Sequence, residues 1–213
     1  MHEPEAYAEL NPFTAIWTRP RETVRYVIEE KRGNLIFWLI VLLGFSAGLS
    51  GASSGEQLFP AAGVIIGSLL LGPIFTVAGI AIASGIYLLL GKLFKGVGTY
   101  TEMFRAVVTS SIPQIWLLPM WLLWLLLSPG TFYTNNEILV ESSSGGVLEI
   151  IIVLVLLLAV IAVGIWTFVI QCKAVGEAQR ISAWKGLFII LTPSILVAIL
   201  VSVIGAFLLF TPI

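Results

Sequence analysis

The residues of this chain that could do acid–base or metal chemistry are few. It has twelve acidic residues, all of them glutamate, with one histidine, His2, and one cysteine, Cys172. The absence of aspartate excludes a Ser-His-Asp triad, and a lone cysteine with a terminal histidine cannot supply a Cys/His metal site. The motifs H-E-x-x-H and G-x-x-x-x-G-K are also absent, and the two G-x-S-x-G matches, at residues 44–48 and 51–55, have no aspartate and only the terminal His2 to complete a triad. We therefore predict no catalytic, cofactor-binding or metal-binding residues.

Two pairs of glutamates are the remaining candidates for general acid–base work. Glu102 and Glu177 each lie in a short polar connector, and as an inner carboxylate pair they could serve an enzyme that acts on lipid. No nucleophile or ligand set accompanies them, so this is the least supported hypothesis. Glu137 and Glu141 precede the run Ser142–Gly146, whose composition is typical of a solvated loop.

The connectors separate apolar blocks that are long enough to cross a membrane. The chain has 213 residues, of which 58% are hydrophobic and only 11% charged, against about 25% charged in soluble domains. A crossing needs about 20 apolar residues. We predict an all-α membrane protein, a five-helix transmembrane bundle, with crossings at about Leu35–Gly51, Ala61–Gly91, Ala106–Leu127, Ile150–Ile170 and Leu187–Phe210.

The basic residues predict how these helices are oriented. All eleven lie in residues 19–32, 92–105 and 173–185, whereas the connectors 52–60 and 128–149 have none. Lysine and arginine favour cytoplasmic loops, so the N-terminus is predicted in the cytoplasm and the C-terminus outside the cell membrane. This pattern requires the 31-residue second block to be a single helix, bent at Gly72-Pro73.

Residues 1–34 are predicted to form a short amphipathic cytoplasmic segment, preceding a transmembrane domain at 35–213. Asn11-Pro12 and Arg19-Pro20 are signals for helix starts. The second helix has apolar residues on one side and charged residues on the other, which fits a helix at the membrane surface. Phe13 and Trp17 are candidate anchors in the headgroup region.

The predicted crossings contain no ionisable residue near their centres, which argues against an ion-coupled carrier. Gln114 and the cluster Thr109–Ser111 are the polar groups inside the third crossing. An alternative function is therefore a small-solute channel or permease lined by this helix. Small-xxx-small pairs, such as Gly44/Gly48 and Gly63/Gly67, favour close helix packing and make a homo-oligomer a further alternative.

Two predicted cytoplasmic loops have similar content. Thr99 and Glu102 match a capping box before the third crossing, and Ser182 can cap the last helix, which carries Trp184. Asn11-Pro12-Phe13 with Trp17, Gly98-x-Tyr100-x-Glu102 followed by Ser111-x-Pro113, and Glu177-x-Gln179-x-x-Ser182 resemble the YIP family of Ypt/Rab-interacting membrane proteins in its bacterial branch. The resemblance covers most of the chain.

The resemblance implies a non-enzymatic scaffold or accessory protein that assists assembly or regulation of a partner membrane complex. Eukaryotic members bind Rab-type GTPases through longer N-terminal regions, whereas some bacterial members are linked to ABC-type exporters that give resistance to toxic peptides. Expected partners are the lipid bilayer and other membrane proteins, with no nucleic acid. The candidate residues for contacting a partner or locking the loops together are Tyr100, Glu102, Pro113, Glu177, Gln179, Arg180 and Ser182.

Overall fold

The computed structural model describes residues 10–30, 33–54, 59–127, 132–133 and 147–210. His2, Glu137 and Glu141 lie outside these residues. Every regular element in the described ranges is a helix, as predicted. The helices are α1 (Pro12–Ala15), α2 (Pro20–Glu30), α3 (Gly33–Ser53), α4 (Ala61–Leu93), α5 (Tyr100–Ser110), α6 (Ile112–Ile115), α7 (Leu118–Leu127), α8 (Val147–Ala178) and α9 (Ala183–Phe210).

The predicted membrane crossings agree with this architecture. Four helices are long and apolar enough to cross a membrane, and a fifth crossing results when α5, α6 and α7 are taken as one bent span. The second block is a single helix, α4, which continues through Pro73. This agrees with the single crossing that the basic residues required.

The third crossing is broken because two prolines follow each other closely. Proline has no N–H to donate to the carbonyl four residues earlier, so α5 ends before Pro113 and α6 ends before Pro119. The chain bends by 42° between residues 100–115 and α7. The bend therefore lies at the second break, while Pro113 is buried in the first turn of α6.

Close backbone packing joins α3 to α4. A Cβ added at Gly44 would overlap the backbone of Gly72 and Pro73, and one added at Gly48 would come within 2.7 Å of the Ser68 Cβ. The Gly44/Gly48 pair of α3 therefore makes a contact within one molecule. It packs against Ser68 and Gly72 of α4, and not against Gly63/Gly67, the other pair named above. Van der Waals contact of this kind drives association of membrane helices, since lipid offers no hydrophobic gain.

The amphipathic helix α2 packs against α5 and α8 at one end of the bundle. Val24 and Val27 on its apolar side are buried, and Val24 belongs to one hydrophobic cluster with Met103 of α5 and Ile170 of α8. The apolar side that predicted a position on the membrane surface is therefore covered by protein. A single cluster spans the predicted boundary between residues 34 and 35.

Candidate functional site

Helices α4 and α8 both end with the same backbone motif. The Gly96 N–H donates to the Gly91 carbonyl at 2.9 Å, and the Ile181 N–H donates to the Gly176 carbonyl at 2.8 Å. A second bond completes the Schellman motif in each turn. The Lys95 N–H donates to the Lys92 carbonyl, and the Arg180 N–H donates to the Glu177 carbonyl. We call α2 and the two loops that follow these helices, residues 94–99 and 179–182, the charged face.

Each Schellman motif places a basic residue where glycine is usual. Lys95 has φ 62° and Arg180 has φ 56°, in the left-handed region that side chains disfavour. Such a conformation costs about 1–2 kcal/mol for a residue with a Cβ. Neither turn is evident from the sequence, because the nearest glycine after α4, Gly96, follows the left-handed position.

Replacing Lys95 by glycine is expected to increase the free energy of unfolding by about 0.5–1 kcal/mol, because glycine adopts a positive φ without strain. The matched control is Lys92→Gly, three residues earlier inside α4, which should lower the stability by about 1 kcal/mol. Unfolding of the purified proteins in a detergent titration measures both. Destabilisation by Lys95→Gly would contradict the assigned turn.

Gln179 joins the two loops of the charged face. Its side chain is fully buried, and its Oε1 accepts a hydrogen bond from the Gly98 N–H at 3.2 Å. Its backbone carbonyl accepts a second bond from the Val97 N–H, also at 3.2 Å. A Cβ at Gly91 or Gly96 would overlap the Gln179 amide, so these glycines provide the space that it occupies. The loops are thus held together by a buried side chain, not only by surface charge.

Two ion pairs surround Gln179 on the charged face. Glu177 Oε1 accepts bonds from the Arg25 Nε at 2.8 Å and Nη2 at 2.6 Å, which ties α2 to the end of α8. Arg180 Nη2 approaches Glu102 Oε1 at 3.4 Å and links the second loop to the start of α5. Both arginines are more than half exposed, so solvent screens these pairs and their contribution to stability is small.

The start of α5 is fixed by the predicted capping box. Glu102 Oε2 accepts from the Thr99 N–H at 2.7 Å, and the Glu102 N–H donates to Thr99 Oγ1 at 3.3 Å. Tyr100 donates its hydroxyl to the carbonyl of Ala81 on α4 at 3.1 Å. Glu102 therefore has two local functions, since it caps α5 and pairs with Arg180.

The remaining predicted residues lie in three different places. Ser182 Oγ accepts from the Lys185 N–H at 3.4 Å and caps α9, as predicted. Phe13 and Trp17 are half-buried and pack against the hydrophobic cluster beneath α2. Pro113 lies within the bent span, away from the loops, so the structure does not bring it together with Glu102, Glu177 and the others. Membrane anchoring and partner contact by these residues stay predictions.

Sequence reasoning did not identify the partners of these side chains. Arg25 is on the charged side of α2, and its pairing with Glu177 spans 152 positions in the chain, so no local signal predicts it. Gly91 and Gly96 were not singled out either, although the spacing G-x-x-x-x-G-x-G at the end of α4 is a sign of close approach by another segment.

The carboxylates of the two predicted inner loops are paired, and several bonds hold the surrounding helices together. Each predicted inner carboxylate, Glu102 and Glu177, is paired with its own arginine. Within the ranges that the structure describes, no three His, Cys, Asp or Glu residues lie close enough to hold a metal ion. Arg105 donates to the Ile28 carbonyl at 2.9 Å and adds a further connection between α2 and α5.

A multi-pass helical membrane protein with an interlocked charged face at one end is the class that these features define. The chain matches the family model of the Yip1 domain over residues 14–205 and belongs to that family. The match begins before α2 and includes both loops of the charged face. Searches of curated proteins and of solved structures found no match.

Proposed function

We propose that this protein is a non-enzymatic accessory protein of the bacterial inner membrane that assists the assembly or regulation of a partner membrane complex. An ABC-type exporter is the first partner to test. The charged face is proposed to lie in the cytoplasm, since it carries the basic residues that favour that side. The opposite end of the bundle and the C-terminus then lie outside.

The observation that carries this proposal is the exposure of Trp184 beside the interlocked loops. Trp184, in the first turn of α9, is 74% exposed, and Val97, in the loop of residues 94–99, is 62% exposed. The exposed Lys185 follows Trp184 directly. Tryptophan is enriched among residues that dominate binding energy, and loops that are already ordered bind at a lower entropic cost. This combination suits a docking surface for another protein.

The other two hypotheses gain less from the geometry. An enzyme acting on lipid would need Glu102 and Glu177 as free carboxylates near a common substrate, whereas each has an arginine partner. A channel lined by the third crossing would need the hydroxyls of Thr109–Ser111 to be exposed along with Gln114, which is exposed. Thr109 and Ser110 are buried instead and donate to carbonyls of their own helix, at 2.7 and 2.8 Å.

Crosslinking in native membranes tests the proposal. A photoreactive amino acid at position 97 is expected to capture a membrane protein complex that contains an ATP-binding subunit. Trp184→Ala should reduce recovery of that complex about tenfold, which corresponds to the loss of about 1.4 kcal/mol. The matched control is Trp166→Ala, which removes an exposed tryptophan in the middle of α8.

The same experiment separates a docking residue from a headgroup anchor. Aromatic residues are common at the membrane interface, and an anchor would leave partner recovery unchanged when it is removed. Equal recovery from the Trp184 and Trp166 variants, both folded, would contradict the proposal. So would the absence of any reproducible crosslinked protein from the unchanged chain.

A further inference from the structure

A groove of about 430 Å³ opens between α3, the bent span α6–α7, and α8. Its volume is within the range of ligand pockets in proteins, which is roughly 300–1,000 Å³. Its lining includes Ser46, Ser50, Gln114, Val160, Val163 and Gly164. Serines of α3 form one wall and aliphatic residues of α8 form the other, so the groove is polar on one side and apolar on the other.

The groove lies in the half of the bundle that is remote from the charged face. Helix α3 begins at Gly33, so at 1.5 Å per residue Ser46 is roughly 20 Å and Ser50 roughly 26 Å along it. The hydrocarbon core is about 30 Å thick. Ser50 is therefore near the far membrane interface, whereas Ser46, which donates to the Gln114 carbonyl at 3.0 Å, lies deeper.

Gln114 is the unusual residue of this groove. Its side chain is exposed, and the part of the chain that the structure describes gives its amide no hydrogen-bond partner. An amide without a partner in hydrocarbon costs several kcal/mol. A molecule in the groove that accepts hydrogen bonds from the NH2 group of this amide would remove part of this cost.

The chemistry of the lining restricts what that molecule is. None of the lining residues is ionisable, so a phosphate or ammonium group would find no opposite charge here. Val160 and Val163 suit a hydrocarbon chain, while Gln114 and Ser50 suit ester carbonyls or hydroxyls. Membrane lipid has both parts and is the solvent of these helices.

We propose that this groove is a binding site for one membrane glycerolipid. The glycerol ester region bonds to the Gln114 amide and the Ser50 hydroxyl, and one acyl chain lies along Val160 and Val163. The headgroup extends past Ser54 toward water, and the protein makes no specific contact with it. This inference is independent of the proposed partner complex.

Photocrosslinking in lipid nanodiscs tests this site. The probe is phosphatidylethanolamine with a diazirine close to the glycerol end of one acyl chain. Crosslinks are expected mainly on residues 117–127 and 154–164. Gly164→Leu should reduce them at least about tenfold by filling the groove, because a Cβ at Gly164 meets nothing within 4 Å and the fold can accept it.

Two further variants make the result decisive. Gln114→Leu should lower the same crosslinks roughly tenfold, since it removes a hydrogen bond inside hydrocarbon without leaving a cavity. Gly79→Leu is the matched control, because Gly79 also has open space around it but does not line the groove, and it should change nothing. Crosslinks spread evenly over the exposed faces of α4 and α8, or unaffected by Gly164→Leu and Gln114→Leu in folded protein, would overturn the proposal.

Discussion

Replacing Gly72 by alanine is expected to lower the free energy of unfolding by about 2 kcal/mol. The added Cβ would overlap the Gly44 carbonyl, so the backbones of α3 and α4 must separate. Overpacking of this kind costs about 1–3 kcal/mol, and here the obstacle is backbone, which cannot rotate away. Equilibrium unfolding of the purified protein by denaturing detergent measures the loss.

The matched control for this prediction is Gly85→Ala on the same helix. A Cβ at Gly85 meets nothing within 4 Å, and alanine is favoured over glycine in helices by about 0.5–1 kcal/mol. The two substitutions are therefore expected to have opposite signs. Similar effects of both would show that the contact between α3 and α4 is not formed as described.

Replacing Gln179 by alanine is expected to cost about 3 kcal/mol of stability and to loosen the charged face. The substitution removes a fully buried side chain, leaves a cavity among Gly91 and Gly96, and deprives the Gly98 N–H of its acceptor. Hydrogen exchange of the Gly98 amide should accelerate about tenfold or more, since each 1.4 kcal/mol corresponds to a factor of ten.

Two comparisons isolate the cause of that loss. Gln171→Ala changes the same residue type two turns earlier on α8, where the side chain is only half-buried, and should cost no more than about 0.5 kcal/mol. Gln179→Leu keeps most of the volume but removes the amide, whose Nε2 has no partner, and should be intermediate. If Gln179→Ala left both the stability and the Gly98 exchange rate unchanged, the buried amide would not be what joins the loops.

These expectations bear on function because the charged face is the proposed docking surface. If a partner binds through Val97 and Trp184, then Gln179→Ala should weaken binding indirectly by loosening the loops, while Gly72→Ala should not alter the binding of correctly folded protein. A docking surface that depends on Gln179 would give this buried glutamine a function. Because Gln179 is buried, weaker binding by its variant would show that it positions the surface and does not contact the partner directly.

Local signals predicted much of the architecture. Asn11 and Thr99 with Glu102 were identified as caps, and both caps are present with the expected hydrogen bonds. Length and charge together required α4 to be a single helix. Pro113 and Pro119 both lie in the third crossing, and the sequence does not show that the 42° bend lies at Pro119 rather than at Pro113.

Local signals do not predict which helices contact each other or through which faces. Helices that are apolar all round carry no periodic face, so the sequence does not indicate which side of α4 packs on α3. The Gly44/Gly48 pair was identified, but its contact with Gly72 and Ser68 depends on how two helices cross. The bond from Ser46 to the Gln114 carbonyl, and the groove beside it, likewise depend on how these helices are placed.

The sequence by itself determined the class of this protein, because hydrophobic length, segregation of charge and capping residues act over one helix or one loop at a time. The tertiary structure alone decided what Glu177 and Gln179 do. Glu177 pairs with Arg25 on α2, and Gln179 inserts between glycines that lie more than eighty positions away. Such contacts depend on the relative placement of whole helices, which local physical chemistry leaves open.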